Sequence, residues 1–493
     1  MTCWSKPGLQ EAETRLVTQT KSHPHQPSLS DALPDPERVA EAQGSLKQAG
    51  VRYVFSCWID LLGLPKTKPV GIDEFEALCR GKGPQFAAHS VSMVPELGPA
   101  DPDQIAVPDL DSLMICPWDE RIAWVFADLF WEGEPYNVCP RSALKRQVSL
   151  AAEAGYHVHA GFEPEFVVMR EVDGRVEKAF GVDALTIDGQ PLRRQAYGYD
   201  AEHSLDGLPF LQEVMEALGR LGWGLSNVVC EGAYSQFELD YGYSDAIGAA
   251  DRLCFLRVLL KEIAKRHGLF VTYMAKPTDG DWRSGAHINH SLTPVDDHGT
   301  NLFSARNGDW GEPIYPVIAG VMKHGEALTA LACPTVNSYK ALIGRNSALE
   351  GGTLTWAPTH IAYGHNNRSA MLRLPQTRRA LENRACDMSV NPYLALAMTI
   401  GASLEGLEQG LEAGDPVDKP MYDLTEDEVR AAGIRQLPTT LIEAIEAFDA
   451  DPLAQEVLGP TMHSAYSRYK HDEWRRFHNH VTAWEQAEYL KFF

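Results

Sequence analysis

Apolar and polar positions along the chain change period several times, and the changes divide it into elements. From about residue 50, VRYVFSCWIDLLGLPKTKPV reads as two strands joined at the turn Leu62-Gly63-Leu64-Pro65, opening a small β-rich N-terminal domain. Residues 139–156 carry apolar spacing that suits a helix opened by Ser142, and beyond them helical and strand patterns alternate for most of the remaining length. The strand candidates are HVHAGFEPEFVVM, QFELDY and LFVTYMAKP; the helix candidates are PFLQEVMEALGRLG, DRLCFLRVLLKEIAKRHG and NPYLALAMTIGASLEGLEQGL. In the last, Asn391 suits an N-cap and Pro392 the first helical turn. The chain from Thr440 reads as mostly helical. Residues 18–37 are rich in Pro, Ser and His, so residues 1–45 are expected to form a mobile extension.

One strand candidate contains an anomaly. Glu163 and Glu165 lie two residues apart in the apolar run GFEPEFVVM, so a strand there puts two carboxylates on one face. Glu231 and Glu238 flank a Gly-containing turn, His287 follows a Ser-Gly pair, and Glu382 stands two residues before Arg384, all among apolar neighbours. Hard divalent cations such as Mg²⁺ or Mn²⁺ offset the cost of crowding carboxylates, and five glutamates with one histidine suffice for two ions. For any one of these glutamates alone a surface or salt-bridged position is the favoured reading, and spacing alone does not decide it. Arg368 and Arg373 bracket a short apolar segment and Lys276 lies in MAKP; arginines beside two metals are what phosphoryl transfer needs. No GxxxxGK[ST] occurs, which excludes a P-loop.

Composition narrows the partners. The 493 residues are 44% hydrophobic, enough for a large core, and the formal net charge of -23 argues against nonspecific binding to nucleic acid or an anionic membrane. Nine scattered cysteines with no CxxC indicate neither a disulfide framework nor a thiolate zinc site and fit a reducing cytoplasm. No apolar run reaches transmembrane length, and MTCWSKPGLQEAETRL lacks a signal-peptide core.

Taken in order, WIDLLGLPKTK, GFEPEF, EGAYSQFE, MAKP with SGAH, NSYK, NRSAMLRLP, LENR, NPYLALA and WEQAEY resemble the glutamine synthetase family from about residue 50 to the C-terminus. The resemblance implies an α+β fold, with a β-grasp domain over residues 46–138 and a catalytic domain of antiparallel sheet and helices over 139–493. It also implies rings of subunits, twelve in all, with each active site between neighbours. One Mg²⁺ or Mn²⁺ would be held by Glu165, Glu231 and Glu238, the other by Glu163, His287 and Glu382. Arg368, Arg373 and Arg384 would face the transferred phosphoryl group and the acid substrate, with Lys276, Asn289, Ser291 and Arg373 toward ATP. The implied reaction moves the γ-phosphoryl of ATP onto the side-chain carboxylate of glutamate, and a nitrogen nucleophile then attacks the acyl phosphate.

The departures from that pattern concern the nucleophile and the acid. The family's F-D-G-S-S, whose Asp helps bind and deprotonate ammonium, is FAAHS here, with Ala87 in the Asp position. The carboxylate-holding Arg after N-S-Y-K is Ala341, the N-G-S-G before the metal histidine is Trp282-Arg283-Ser284-Gly285, and the second histidine of H-x-H is Asn289. Arg283 or Arg345 is a replacement anchor, and Glu350, in the longer segment 341–356, a candidate for the loop glutamate of the active site. Small residues in place of charged ones and an added Trp make room for an organic group. The expectation is a γ-glutamyl-amine ligase acting on an aromatic or alkyl amine, set against an ammonia-using glutamine synthetase and a noncatalytic structural or sensing protein. The last should have lost metal ligands, whereas all six positions hold competent ones. Phosphorylation of a guanidino compound on the same scaffold would release no free phosphate.

Overall fold

The computed structural model describes residues 27–88, 97–181, 198–279, 282–297, 299–306, 308–346 and 353–492. Strands Tyr53–Ile59 and Pro65–Gly71 pair antiparallel, Ile59 opposite Pro65, so the predicted hairpin and its turn are present. The Asp60 carboxylate closes the turn by accepting the N–H groups of Leu62 and Leu64 at 3.0 and 2.8 Å. Gly63 has φ +82° and a Cβ there would lie 2.9 Å from Asn391 Cα, so only glycine lets the turn press this closely on a later element. That element is the helix Pro392–Gln409, capped by Asn391, whose side-chain amide also donates to the carbonyls of Asp60 and Leu61.

The hairpin belongs to a sheet, seven-stranded among the described residues, in which Tyr53–Ile59 runs parallel to Ile122–Trp131, itself antiparallel to Asp103–Pro108. The helix Pro36–Gln48 packs on this layer through buried Val39 and Leu46, in one core with Val54, Phe75 and Val125. The folded part therefore reaches back into the stretch expected as extension. Its apolar face of Val39, Ala42 and Leu46 is diluted by charge and by Gly44, which hid the helical period.

Among the described residues the second sheet has eleven strands. Its axis is the long strand Tyr156–Val172, paired with Gln236–Asp240 on one side and Ala286–Pro294 on the other; Leu381–Asn383, Ala370–Leu374 and His360–His365 follow outward. All these pairings are antiparallel except the last. This is the expected α+β architecture. Of LFVTYMAKP only Phe270–Thr272 is strand; beyond it the backbone of Lys276 is held off the sheet by the Asn337 side chain, at 2.9 Å in both directions. The helix read as opened by Ser142 runs Pro140–Glu153, because Pro140 supplies the preset first-turn φ two residues earlier. The helices Pro140–Glu153 and Ala246–Arg266 pack on the long strand, while Pro392–Gln409 crosses Ile314–Lys323 at backbone contact: a Cβ on Gly320 would lie 2.0 Å from the Ala402 carbonyl oxygen.

A buried cation ties these layers together. Arg141 donates to Asp251 at 3.0 and 2.9 Å and to Asp128 and Asp109 at 2.9 Å each, and Lys145 pairs with the latter two. The eight described cysteines are free and buried. Among the described residues, no helix is long and apolar enough to cross a membrane.

Candidate active site

Strand register assembles the site. Glu165 lies opposite Glu238, Glu163 opposite His287, and Glu382 is flanked by Asn289 on one side and Arg373 on the other. Residues far apart in sequence thus form a diagonal across five neighbouring strands, on the face to which Glu163 and Glu165 both point. Glu163, His287 and Glu382 offer ligand atoms within 4.8 Å of one another, as do Glu165, Glu238 and His287. Glu231, in the loop after strand Asn227–Cys230, lines the same cavity. The imidazole thus stands between two carboxylate groups: Nδ1 is 3.2 Å from Glu163 and 3.8 Å from Glu382, and Nε2 is 3.9 Å from Glu165. Gly285 leaves the necessary room, since a Cβ there would meet Glu165 Oε1 and His287 Nε2 at 2.9 Å.

Electrostatics separates the members of this group. Burial, then the Glu231 charge, pushes Glu165 up to about 8, although it accepts hydrogen bonds from the Gly285 N–H at 2.9 Å and from Gln236 at 3.1 Å. Glu238 is raised well above the carboxylate range by burial and by Glu163, Glu165 and Glu231. Glu231 and Asp240 are raised too, chiefly by burial. Burial would also raise Glu382, but the Arg384 guanidinium leads the opposing effects that hold it below its ordinary value. Arg384 and Arg373 donate to it at 2.6 and 2.8 Å. Burial and then Arg384 keep the His287 imidazole neutral, the form that binds metals. Hard oxygen donors around one neutral imidazole, several of them unfavourable as bare anions, are a donor set suited to Mg²⁺ or Mn²⁺.

The cavity holding these groups measures about 340 Å³ and is also lined by Tyr199, Trp282, Arg283, Trp356, Arg368, Arg373, Arg378 and Arg384. A second cavity of about 470 Å³ contains Asn289, Ser291, His159, Tyr243 and Arg379, and shares Glu163, Asp240 and Arg378 with the first. Arg378, not singled out by the sequence, bridges the two: it donates to Glu382 at 2.9 Å, to Asn289 at 3.0 Å and to Glu163. Arg378 lies in a bend before the strand Leu381–Asn383, where no helical spacing marks it in the sequence.

Other expected residues fall differently. Arg283 is buried, donating to the Arg384 carbonyl at 2.6 Å and toward Cys333 Sγ at 3.4 Å, with its Nε lacking a hydrogen-bond partner. Lys276 lines neither cavity, and Ala341 is buried in the helix Val336–Ala341. Ala87 is exposed on the edge strand Phe86–Ala87 of the first sheet, outside the cavity of the single chain. Arg345 lies on the short strand Arg345–Asn346, and Glu350 lies outside the described residues.

The family model for the glutamine synthetase catalytic domain matches residues 137–489. The chain belongs to the glutamine synthetase family. It is a carbon–nitrogen ligase of that family. It is 35% identical over 460 residues to a glutamate–methylamine ligase of Methyloversatilis universalis, an alignment covering 92% of this chain and 99% of the relative. Identity to a glutamine synthetase of Rhizobium leguminosarum bv. phaseoli is 33%, covering 90% and 98%. A solved structure of GmaS with ADP superimposes with a TM-score of 0.81 at 30% identity, covering 91% of this chain and 99% of that one. GmaS without ligand gives 0.79 at 31%, with the same coverage.

Proposed function

We propose that this ligase joins the γ-carboxylate of glutamate to an organic amine, aromatic or alkyl, at the expense of ATP and through a γ-glutamyl phosphate. The observation that carries the reading is the convergence on one cavity of five metal-competent side chains and five arginines, with the sixth, Glu382, buried behind Arg373 and Arg384, beside a second cavity that has room for a nucleotide. The likeness to a glutamate–methylamine ligase over nearly the whole chain supports the acid and the class of nucleophile.

The residues divide the work by position. Glu165, Glu231 and Glu238 would hold one divalent cation and Glu163, His287 and Glu382 the other, with His287 near enough to both groups to couple them. Cations so held supply charge neutralisation for phosphate and carboxylate oxygens. Asn289 and Ser291, on the nucleotide side, place ATP so that its terminal phosphate meets Arg378 and Arg373. A γ-carboxylate oxygen of glutamate attacks that phosphorus, the bond to the bridging oxygen breaks and ADP leaves. Arg368 has room to follow the charge on the transferred oxygens, since it is exposed at the cavity. The amine nitrogen then attacks the acyl carbon, phosphate leaves with the oxygen it received, and the nitrogen loses a proton. Arg283, with its unpaired Nε, stands in for the carboxylate anchor lost at Ala341.

Ammonium is the competing nucleophile, because other relatives of equal coverage are glutamine synthetases. It carries a positive charge that Ala87 does nothing to recruit or discharge, an obstacle that an alkyl amine shares and an aryl amine, neutral at physiological pH, does not. Glutamate labelled with ¹⁸O in its γ-carboxylate tests the chemistry. Transfer of one label to the released phosphate is expected; unlabelled phosphate, or phosphate left on the organic product, would refute the acyl phosphate.

A further inference from the structure

Two tryptophans stand at the cavity where neither the metal ligands nor the arginines account for them. Trp282 lies flat against Gly232, the residue after Glu231; a Cβ on Gly232 would meet the indole at 2.9 to 3.1 Å, so this seat exists only over glycine. Trp356 meets Trp282 edge-on, with ring centroids 6.1 Å apart and planes at 64°. It is 50% exposed, and its backbone sits at φ +57°, a left-handed conformation that bulky residues rarely adopt. A half-exposed indole on strained backbone at a ligase cavity costs free energy twice, and such features cluster at binding sites. An edge-to-face pair leaves one aromatic face open, the geometry that accepts a third ring.

The charge around the pair bears on its guest. Five carboxylates line the cavity, those of Glu163, Glu165, Glu231, Glu238 and Asp240, with five guanidiniums, those of Arg283, Arg368, Arg373, Arg378 and Arg384, the last three also paired with the buried Glu382. Four of these carboxylates are the proposed cation ligands and are not free for an ammonium group, whereas the indole pair offers an apolar wall to a ring.

We infer that Trp282 and Trp356 select the amine substituent, and that the preferred nucleophile is a primary amine bearing an aryl group and uncharged at neutral pH. The inference rests on the proposed ligase reaction and adds its specificity determinants. Kinetics of the full-length protein with aniline and with methylamine provide the test, for the wild type, Trp356→Ala and Trp356→Phe. The half-exposed Trp356 is replaceable without opening the core. The ratio of kcat/KM for aniline to that for methylamine is expected to exceed one in the wild type. It should fall at least tenfold in Trp356→Ala, mainly through the aniline KM, and recover in Trp356→Phe. A tenfold fall corresponds to about 1.4 kcal/mol of lost discrimination. A ratio that stays within twofold across the three proteins, or a wild type that prefers methylamine, would overturn this inference alone. No turnover with any amine would overturn the ligase reading and this one with it.

Discussion

Replacing Glu238 by glutamine should have opposite effects on the protein with and without divalent cation. Glu238 is nearly isosteric with glutamine, sits opposite Glu165 across two strands, and is crowded by Glu163, Glu165 and Glu231. Without cation, Glu238→Gln removes one of several like charges held together in a buried place, so the variant should be at least as stable as the wild type at pH 8. With cation the sign reverses. At a Mn²⁺ concentration 100 times the dissociation constant, one site stabilises the wild type by about 2.7 kcal/mol. Loss of a ligand that weakens binding about 100-fold would leave RT ln 2, about 0.4 kcal/mol, at the same concentration. Thermal unfolding of both proteins in EDTA and in Mn²⁺, with calorimetric titration for stoichiometry, measures the difference. Equal stabilisation of both by Mn²⁺, or a cation-free variant several kcal/mol less stable than the wild type, would refute this reasoning.

Two predictions concern the scaffold. Arg141→Met should destabilise the fold by about 3–5 kcal/mol in denaturant unfolding, because Asp251 loses its guanidinium partner in the interior while Lys145 still serves Asp109 and Asp128. His324 is buried between Asp451, at 2.7 Å, and Glu405; burial lowers its pKa, but hydrogen bonds to these carboxylates prevail and raise it. Its contribution is therefore complete below the unfolded histidine value near 6.5 and lost as pH rises through the raised folded value. The melting-temperature gap between wild type and His324→Gln should be widest near pH 6 and narrow toward pH 9; a gap independent of pH would contradict that assignment.

How far the sequence could be read depended on whether a feature was local. Glu163 and Glu165 were conspicuous because alternation along one strand places them together, and Asn391-Pro392 announced its helix through capping chemistry. The pairing of Glu163 with His287, or of Arg373 with Glu382, is a matter of register between distant strands, and no local pattern encodes it. The resemblance implied the first as a shared cation site and did not imply the second. Arg378 escaped because an arginine in a polar loop looks like any surface arginine until the fold turns it onto Glu163. Trp356 escaped for the reverse reason: an aromatic residue in a loop suggests packing, whereas half of it is exposed. Ala87 was legible as a departure, yet its position on an edge strand outside the cavity follows only from the fold. If it acts on the amine, a neighbouring subunit must bring it there, as the resemblance implies for ring assemblies.

The most direct test of the central claim is phosphate release from ATP by the purified chain with Mg²⁺ and glutamate, offered ammonium, methylamine, isopropylamine, putrescine and aniline in parallel, with mass spectrometry of the products. The account predicts γ-glutamyl amides, formed faster from an uncharged organic amine than glutamine is from ammonium. Turnover with ammonium alone, giving glutamine, would contradict it.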